Sequence, residues 1–215
     1  NQTEFTTWAH NLSEEGKKKL YNVLDKEDQV LFIEQEKVIG EVVKDICDEY
    51  PTILNLSKKE QFDLIFNYIS EKYPYAKEST NSGKFLNSDS SWAKDALETH
   101  KKGRGVCLGR ANLLTLVTNN NYLRLNCSTV LGKYHNVLHA WNEFIEEKNV
   151  YEYDMSFNIK NVTTLREMEE KGYIYDRVYP KVIELNEKNN EIKNNSHFSH
   201  PLPKTKKNTL ISGKN

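Results

Sequence analysis

The chain has 215 residues, enough for one domain with added elements or for two small ones. Lys plus Arg number 30 against 31 Asp plus Glu, so no strong field draws the protein to nucleic acid or to an anionic membrane. The hydrophobic fraction is only 37%, yet 12 Tyr, 8 Phe and 3 Trp can fill a core, and no apolar run is long enough to span a bilayer.

Taken along the chain, residues 1–74 read mostly as helix. In "EDQVLFIEQEKVIGEVVKDICDEY" apolar residues recur at Val30, Ile33, Val38, Val42, Ile46 and Tyr50, near helical spacing, and Pro51 stops the run. Cys47 falls in that helix and reads as structural. "SKKEQFDLIFNYISEKY" opens with Ser57 and Glu60 at capping-box spacing, and Phe62, Ile65, Phe66 and Ile69 form its apolar face. "KESTNSGKFLNSDSS" reads as a polar loop and "SWAKDAL" as a short helix. Gly103 and Gly105 then give a tight turn. Cys107 follows at once, and Leu108, Ala111, Leu114 and Val117 repeat at helical spacing behind it.

After that helix the period changes to two. "LNCSTVLG" alternates as a strand, with Cys127 packed in it. "NVLHAWNEFIEE" and "NVYEYDMSF" are rich in β-branched and aromatic residues and flank a charged turn, the pattern of a β-hairpin. Thr164 and Glu167 in "TTLREMEEKGY" mark one more capped helix. The expected organisation is an N-terminal helical region, 1–74, packed on a core, 75–183, with a polar tail, 184–215, that is largely irregular.

Three cysteines are too few for a disulfide framework. In an oxidising compartment Cys47 and Cys127 could pair and leave Cys107 free; in a reducing one all three are thiols. Cys107 admits two readings. A buried helix cysteine is the commoner one. The other is a reactive thiol at a helix N-terminus, where unpaired N–H groups and the helix dipole favour the thiolate.

The hairpin supplies possible partners for that thiol. With an even-length turn, His139 and Asp154 fall on the same face, directly opposite for a turn at Glu146-Glu147 and diagonal for a turn of "EEKN". A carboxylate beside a histidine fixes its tautomer. A histidine beside a thiol yields a thiolate–imidazolium pair able to attack a carbonyl carbon. The plainer alternatives are a satisfied core histidine and a strand-end carboxylate. His135 and His139 also have H-x-x-x-H spacing, but Asn136 stands where a zinc protease needs glutamate, and on a strand the two would lie roughly 13 Å apart. No metal or other cofactor is therefore expected. His10, His100, His197 and His200 read as surface residues.

Taken together, "GRGVCLGRANLL", "HAWN" and "YEYD" resemble the core of the transglutaminase-like superfamily, especially its small bacterial members. The matching residues are Gly105, Val106, Cys107, Gly109 and Ala111, then His139, Ala140, Trp141 and Asn142, then Asp154, within about residues 65–160. The resemblance implies an α+β, papain-like fold, with a nucleophile helix packed on an antiparallel sheet. It implies Cys107 as nucleophile, His139 as general base and acid, Asp154 as the orienting residue, Trp141 as structural beside them, and Tyr75 as an oxyanion donor. Arg110 departs from the usual aromatic. It either biases the cleft towards acidic substrates or is a solvated surface residue, the preferred reading. Met155-Ser156-Phe157 is a second departure.

The implied activity is thiol-dependent acyl transfer on a protein or peptide substrate. Hydrolysis is preferred to cross-linking because large flanking β-domains are absent from this sequence. A non-catalytic peptide-binding module on the same fold is the alternative. The Asn- and Lys-rich composition suggests a bacterium; the compartment stays open, with a secreted or surface location slightly favoured over the cytoplasm.

Overall fold

The computed structural model describes residues 7–77, 92–179, 183–186 and 191–194. The expected loop at 77–91 falls almost wholly outside that span, as do His197 and His200. Three helices come first: α1 (Glu14–Val23), α2 (Lys26–Glu49) and α3 (Lys58–Lys72). Their starts are set by side-chain caps. Ser13 accepts from Gly16 N at 3.1 Å and Asp25 from Asp28 N at 2.9 Å. The Ser57 and Glu60 capping box is complete in both directions, which satisfies two otherwise orphaned backbone donors.

On α3, Phe62, Ile65, Phe66 and Ile69 are all buried, as their spacing predicts. On α2 the buried stripe is shifted. Phe32, Val38, Ile39, Val42 and Ile46 face inward, whereas Val30 and Ile33 are exposed. The expected stripe fails at its N-terminal end, where packing against the rest of the chain turns Phe32 inward in place of Val30 and Ile33.

The segment "SWAKDAL" begins as a single 3-10 turn at 92–94 and only then enters α4 (Ala96–Lys102). Asp95 is the reason: its carboxylate caps Leu97 N and Glu98 N at 2.7 and 3.2 Å. Helix α4 ends at Gly103, in the left-handed region at φ 70°. Helix α5 (Cys107–Thr118) is buried along nearly its whole length and packs against α2, α3, α4 and the sheet.

The sheet has five antiparallel strands in the order β4-β3-β2-β1-β5. They are β1 (Asn126–Tyr134), β2 (Val137–Glu146), β3 (Asn149–Asp154), β4 (Ile159–Val162) and β5 (Tyr173–Tyr179). Helix α6 (Leu165–Glu170), capped by Thr164, precedes β5. The fold class is thus α+β, as expected, although β4 and β5 were not. Two short paired strands, β6 (Ile183–Asn186) and β7 (Glu191–Asn194), occupy part of the stretch read as irregular.

One face of the sheet joins the helices in the larger core, where Phe144 stacks on Phe62 at 4.4 Å and Cys127 is fully buried. Burial pushes the Cys127 thiol up to about 12, so it is inert packing. The opposite face carries a smaller cluster of Val130, Trp141, Val162, Met168 and Tyr173. Burying each large apolar side chain contributes about 1.5–3 kcal/mol. Among the described residues, no helix is long and apolar enough to cross a membrane.

His10 corrects a sequence expectation. It is fully buried, bonded to Gln35 Oε1 at 2.8 Å and Glu36 Oε1 at 3.0 Å, and stacked on Phe32. His100 is also mostly covered, between Tyr73 Oη at 2.7 Å and Glu41 at 3.1 Å. Polar neighbours in sequence did not mean a surface position, because both rings are partnered across helices.

Candidate active site

Cys107 is the first residue of α5, half-buried, behind the N-cap Val106. The turn before it is stitched to two segments. Gly105 donates to Pro74 O at 3.3 Å and accepts from Ala76 N at 2.9 Å, and Val106 donates to Ala93 O at 3.0 Å. One turn further on, a Cβ at Gly109 would lie 2.0 Å from Ala93 O. Only glycine lets α5 approach that backbone so closely. The helix interior is pinned to the sheet as well. Asn142 Nδ2 donates to Ala111 O at 2.9 Å and to Thr115 Oγ1 at 3.1 Å, and Thr115 pairs with Thr129 at 2.8 Å. These buried polar ties fix the sulfur relative to β2.

His139 and Asp154 come from β2 and β3. The turn between them is Glu147-Lys148, with Glu146 opposite Asn149, so His139 and Asp154 are diagonal neighbours on one face. This is the register expected of an "EEKN" connection, closed by two residues rather than four. His139 Nε2 donates to Asp154 Oδ2 at 2.7 Å. Asp154 is 1% exposed and takes two further donors: Ser156 N to Oδ1 at 2.9 Å, and the Tyr173 hydroxyl to Oδ2.

Burial of the His139 ring works against its charge. The hydrogen bonds with Asp154 and Cys107, and the charges of both, outweigh that burial and raise it to about 9. With Nε2 committed to Asp154, Nδ1 is the nitrogen left for the sulfur. The imidazole is walled by aromatics: Phe157 at 5.4 Å, Trp141 and Tyr134 at 6.0 Å, and Tyr173 at 6.2 Å. Trp141 is buried and nearly parallel to the ring, and its Nε1 donates to Glu152 at 3.2 Å.

Tyr75 lines the same cleft as Cys107, whereas Tyr73 is buried at the end of α3 and bonded to His100. Arg110 corrects its preferred reading. It is 5% exposed, and its guanidinium donates to Tyr73 O at 2.8 Å and Ser70 O at 3.2 Å. It therefore closes the C-terminal end of α3, where backbone carbonyls lack partners. Burial lowers its pKa, partly offset by the charge of Asp154. His135 sits in the β1–β2 turn, not in a helix, with its ring over Gly172. Among the described residues no group of three His, Cys, Asp or Glu side chains is placed to hold a metal ion.

Sequence reasoning missed Tyr173. Its only signal was the alternation of "YIYDRVY", since its contact with Asp154 depends on β5 returning beside β1.

No family model matches the sequence, and no curated protein matches it. Among solved structures, the fold is similar to the crystal structure of a TGase, with 18% identity over 66% of this chain and 36% of the other, at a TM-score of 0.49. It is also similar to a protein from Cytophaga hutchinsonii described as a candidate cysteine protease, with 19% identity over 65% of this chain and 42% of the other, at a TM-score of 0.43. The chain thus spans less than half the length of either structure. The chemistry of the site rests on its own residues.

Proposed function

We propose that the protein is a transglutaminase-like thiol acyltransferase that cleaves peptide or glutamine-type amides through a Cys107 thioester, with water as the usual acceptor. The observation that carries this reading is the Cys107–His139–Asp154 line, which joins a helix N-terminus to two adjacent strands.

In this reading His139 takes the Cys107 proton at Nδ1. The thiolate attacks the amide carbon, forming a C–S bond and an oxyanion. The Cys107 backbone N–H and the Tyr75 hydroxyl donate to that oxyanion. His139 returns the proton to the leaving nitrogen as the C–N bond breaks, releasing the amine. Water then attacks the thioester, gives its proton to His139, and frees the acid and the thiol. Asp154 holds Nε2–H throughout, and Ser156 N–H and Tyr173 hold Asp154. Trp141 limits rotation of the imidazole.

Water as acceptor is supported by the cleft, whose rim residues Tyr75, Val137, Leu138 and Phe157 stand in solvent. A sealed channel would be needed to favour an amine over water.

The test is a panel of activated esters, peptide amides and glutamine peptides, acid-quenched and analysed by intact-mass spectrometry. Acyl adducts on Cys107 that vanish in Cys107→Ala and decay to free acid are the expected result. No adduct with any member of the panel, alongside peptide binding that survives Cys107→Ala, would favour a binding module instead.

A further inference from the structure

The cleft beside the sulfur has a volume of about 600 Å³, within the range of small-ligand sites. Besides Cys107 and His139, its walls carry Tyr75, Tyr134, Val137, Leu138, Met155 and Phe157. Several of these are left in water: Leu138 is 79% exposed, Val137 68%, Phe157 47% and Tyr75 37%. Clusters of large apolar side chains that stand partly in solvent mark contact surfaces.

The charge pattern is equally selective. Among the described residues, no aspartate or glutamate lines the cleft. Its cations are His139, engaged by Asp154, and Arg110, whose guanidinium is spent on the carbonyls of Ser70 and Tyr73. Among the described residues a basic side chain would find no counter-ion there, and an acidic one no free donor cation.

The apolar rim is also held in place. Tyr134 pairs with Val137 across a two-residue turn, His135-Asn136, with φ of 48° and 65°. Two successive left-handed residues are what a tight turn matched to strand twist requires. His135 N–H donates to Gly172 O at 3.0 Å, and its ring fills the space where a Gly172 side chain would be. The hairpin tip is thereby seated against the junction of α6 and β5.

We infer that this rim is a specificity subsite for a bulky apolar or aromatic side chain next to the scissile amide, which makes the substrates peptides carrying such a residue rather than acidic or basic ones. The inference rests on Cys107 marking the reacting centre, but its test does not depend on catalysis.

The test is isothermal titration of Cys107→Ala protein with three capped tripeptides that differ only in a central Phe, Asp or Lys. The Phe peptide is expected to bind about tenfold tighter or more, the scale of burying one aromatic ring. Leu138→Asp in the same background is expected to remove that preference, and at 79% exposure this change spares the fold. Equal binding of all three peptides, binding of none, or a preference untouched by Leu138→Asp would overturn the subsite. A Phe preference without any acyl adduct in the wild type would leave the subsite standing and remove the chemistry.

Discussion

Asp154 and Glu152 stand two residues apart on β3, on the same face of the sheet, at 1% and 2% exposure. Their surroundings differ completely. Asp154 receives three donors: an imidazole N–H, a backbone N–H and a phenol. Three donors suit an acceptor-only carboxylate. Glu152 receives Trp141 Nε1 but lies opposite Glu143, another buried carboxyl group. Burial and the negative charge of Glu143 push Glu152 up to about 9, so it keeps its proton at neutral pH. Equal burial on one strand thus gives one carboxylate able to steady a cation and one neutral acid. The neighbouring Glu143 sets Glu152 apart, whereas the donors to Asp154 come from β2, β5 and the turn after β3.

The largest effect that sharpens this contrast is on turnover. Cys107→Ala is expected to cost about a thousandfold or more in hydrolysis, the scale of losing a nucleophile. Asp154→Asn is expected to cost roughly a hundredfold or more in kcat, because the imidazole loses its anionic partner. Glu152→Gln, which replaces a neutral acid by its neutral isostere, is expected to stay within about threefold of wild type. If Glu152→Gln were as damaging as Asp154→Asn, the contrast would fail.

Tyr173→Phe should act more gently, lowering kcat by about tenfold or less with KM unchanged, since one of three donors is lost. A rise in KM alone would mean Tyr173 serves the substrate rather than Asp154.

Arg110→Met tests the wall that carries neither carboxylate. It frees two carbonyls at the end of α3, and a loss of about 2–4 kcal/mol in chemical denaturation is expected. Unchanged stability would return Arg110 to the role of a substrate contact.

The smallest effect concerns pH. His139 is raised to about 9 and Glu152 also to about 9, so the folded state holds both protons more tightly than the unfolded state. Stability is therefore full at low pH and is lost as pH rises. For Glu152 the loss starts in the ordinary carboxyl range, for His139 near 6.5, and both end through about 9. Thermal melts from pH 6 to 9.5 in Glu152→Gln should decline less steeply than in wild type, and an identical slope would remove Glu152 as a cause.

The sequence made parts of this arrangement readable because their causes are local. Gly103, Gly105 and the apolar repeat placed Cys107 at a helix start. Period-two alternation and the parity of an even turn placed His139 and Asp154 on one face. What remained hidden depends on distant partners. Tyr173 reaches Asp154 only because β5 pairs with β1. Arg110 is buried only because α3 ends beside α5, and His10 because Gln35 and Glu36 meet it across helices. The Glu143–Glu152 pairing went unread, since burial on the second face depends on α6 and β5.

The most direct test of the central claim, that Cys107, His139 and Asp154 form one charge-coupled unit, is the titration of the His139 imidazole by NMR. In the wild type the midpoint should lie near about 9, and it should fall in Cys107→Ala and in Asp154→Asn. A midpoint near the free-histidine value of about 6.5, unmoved by either substitution, would contradict the account.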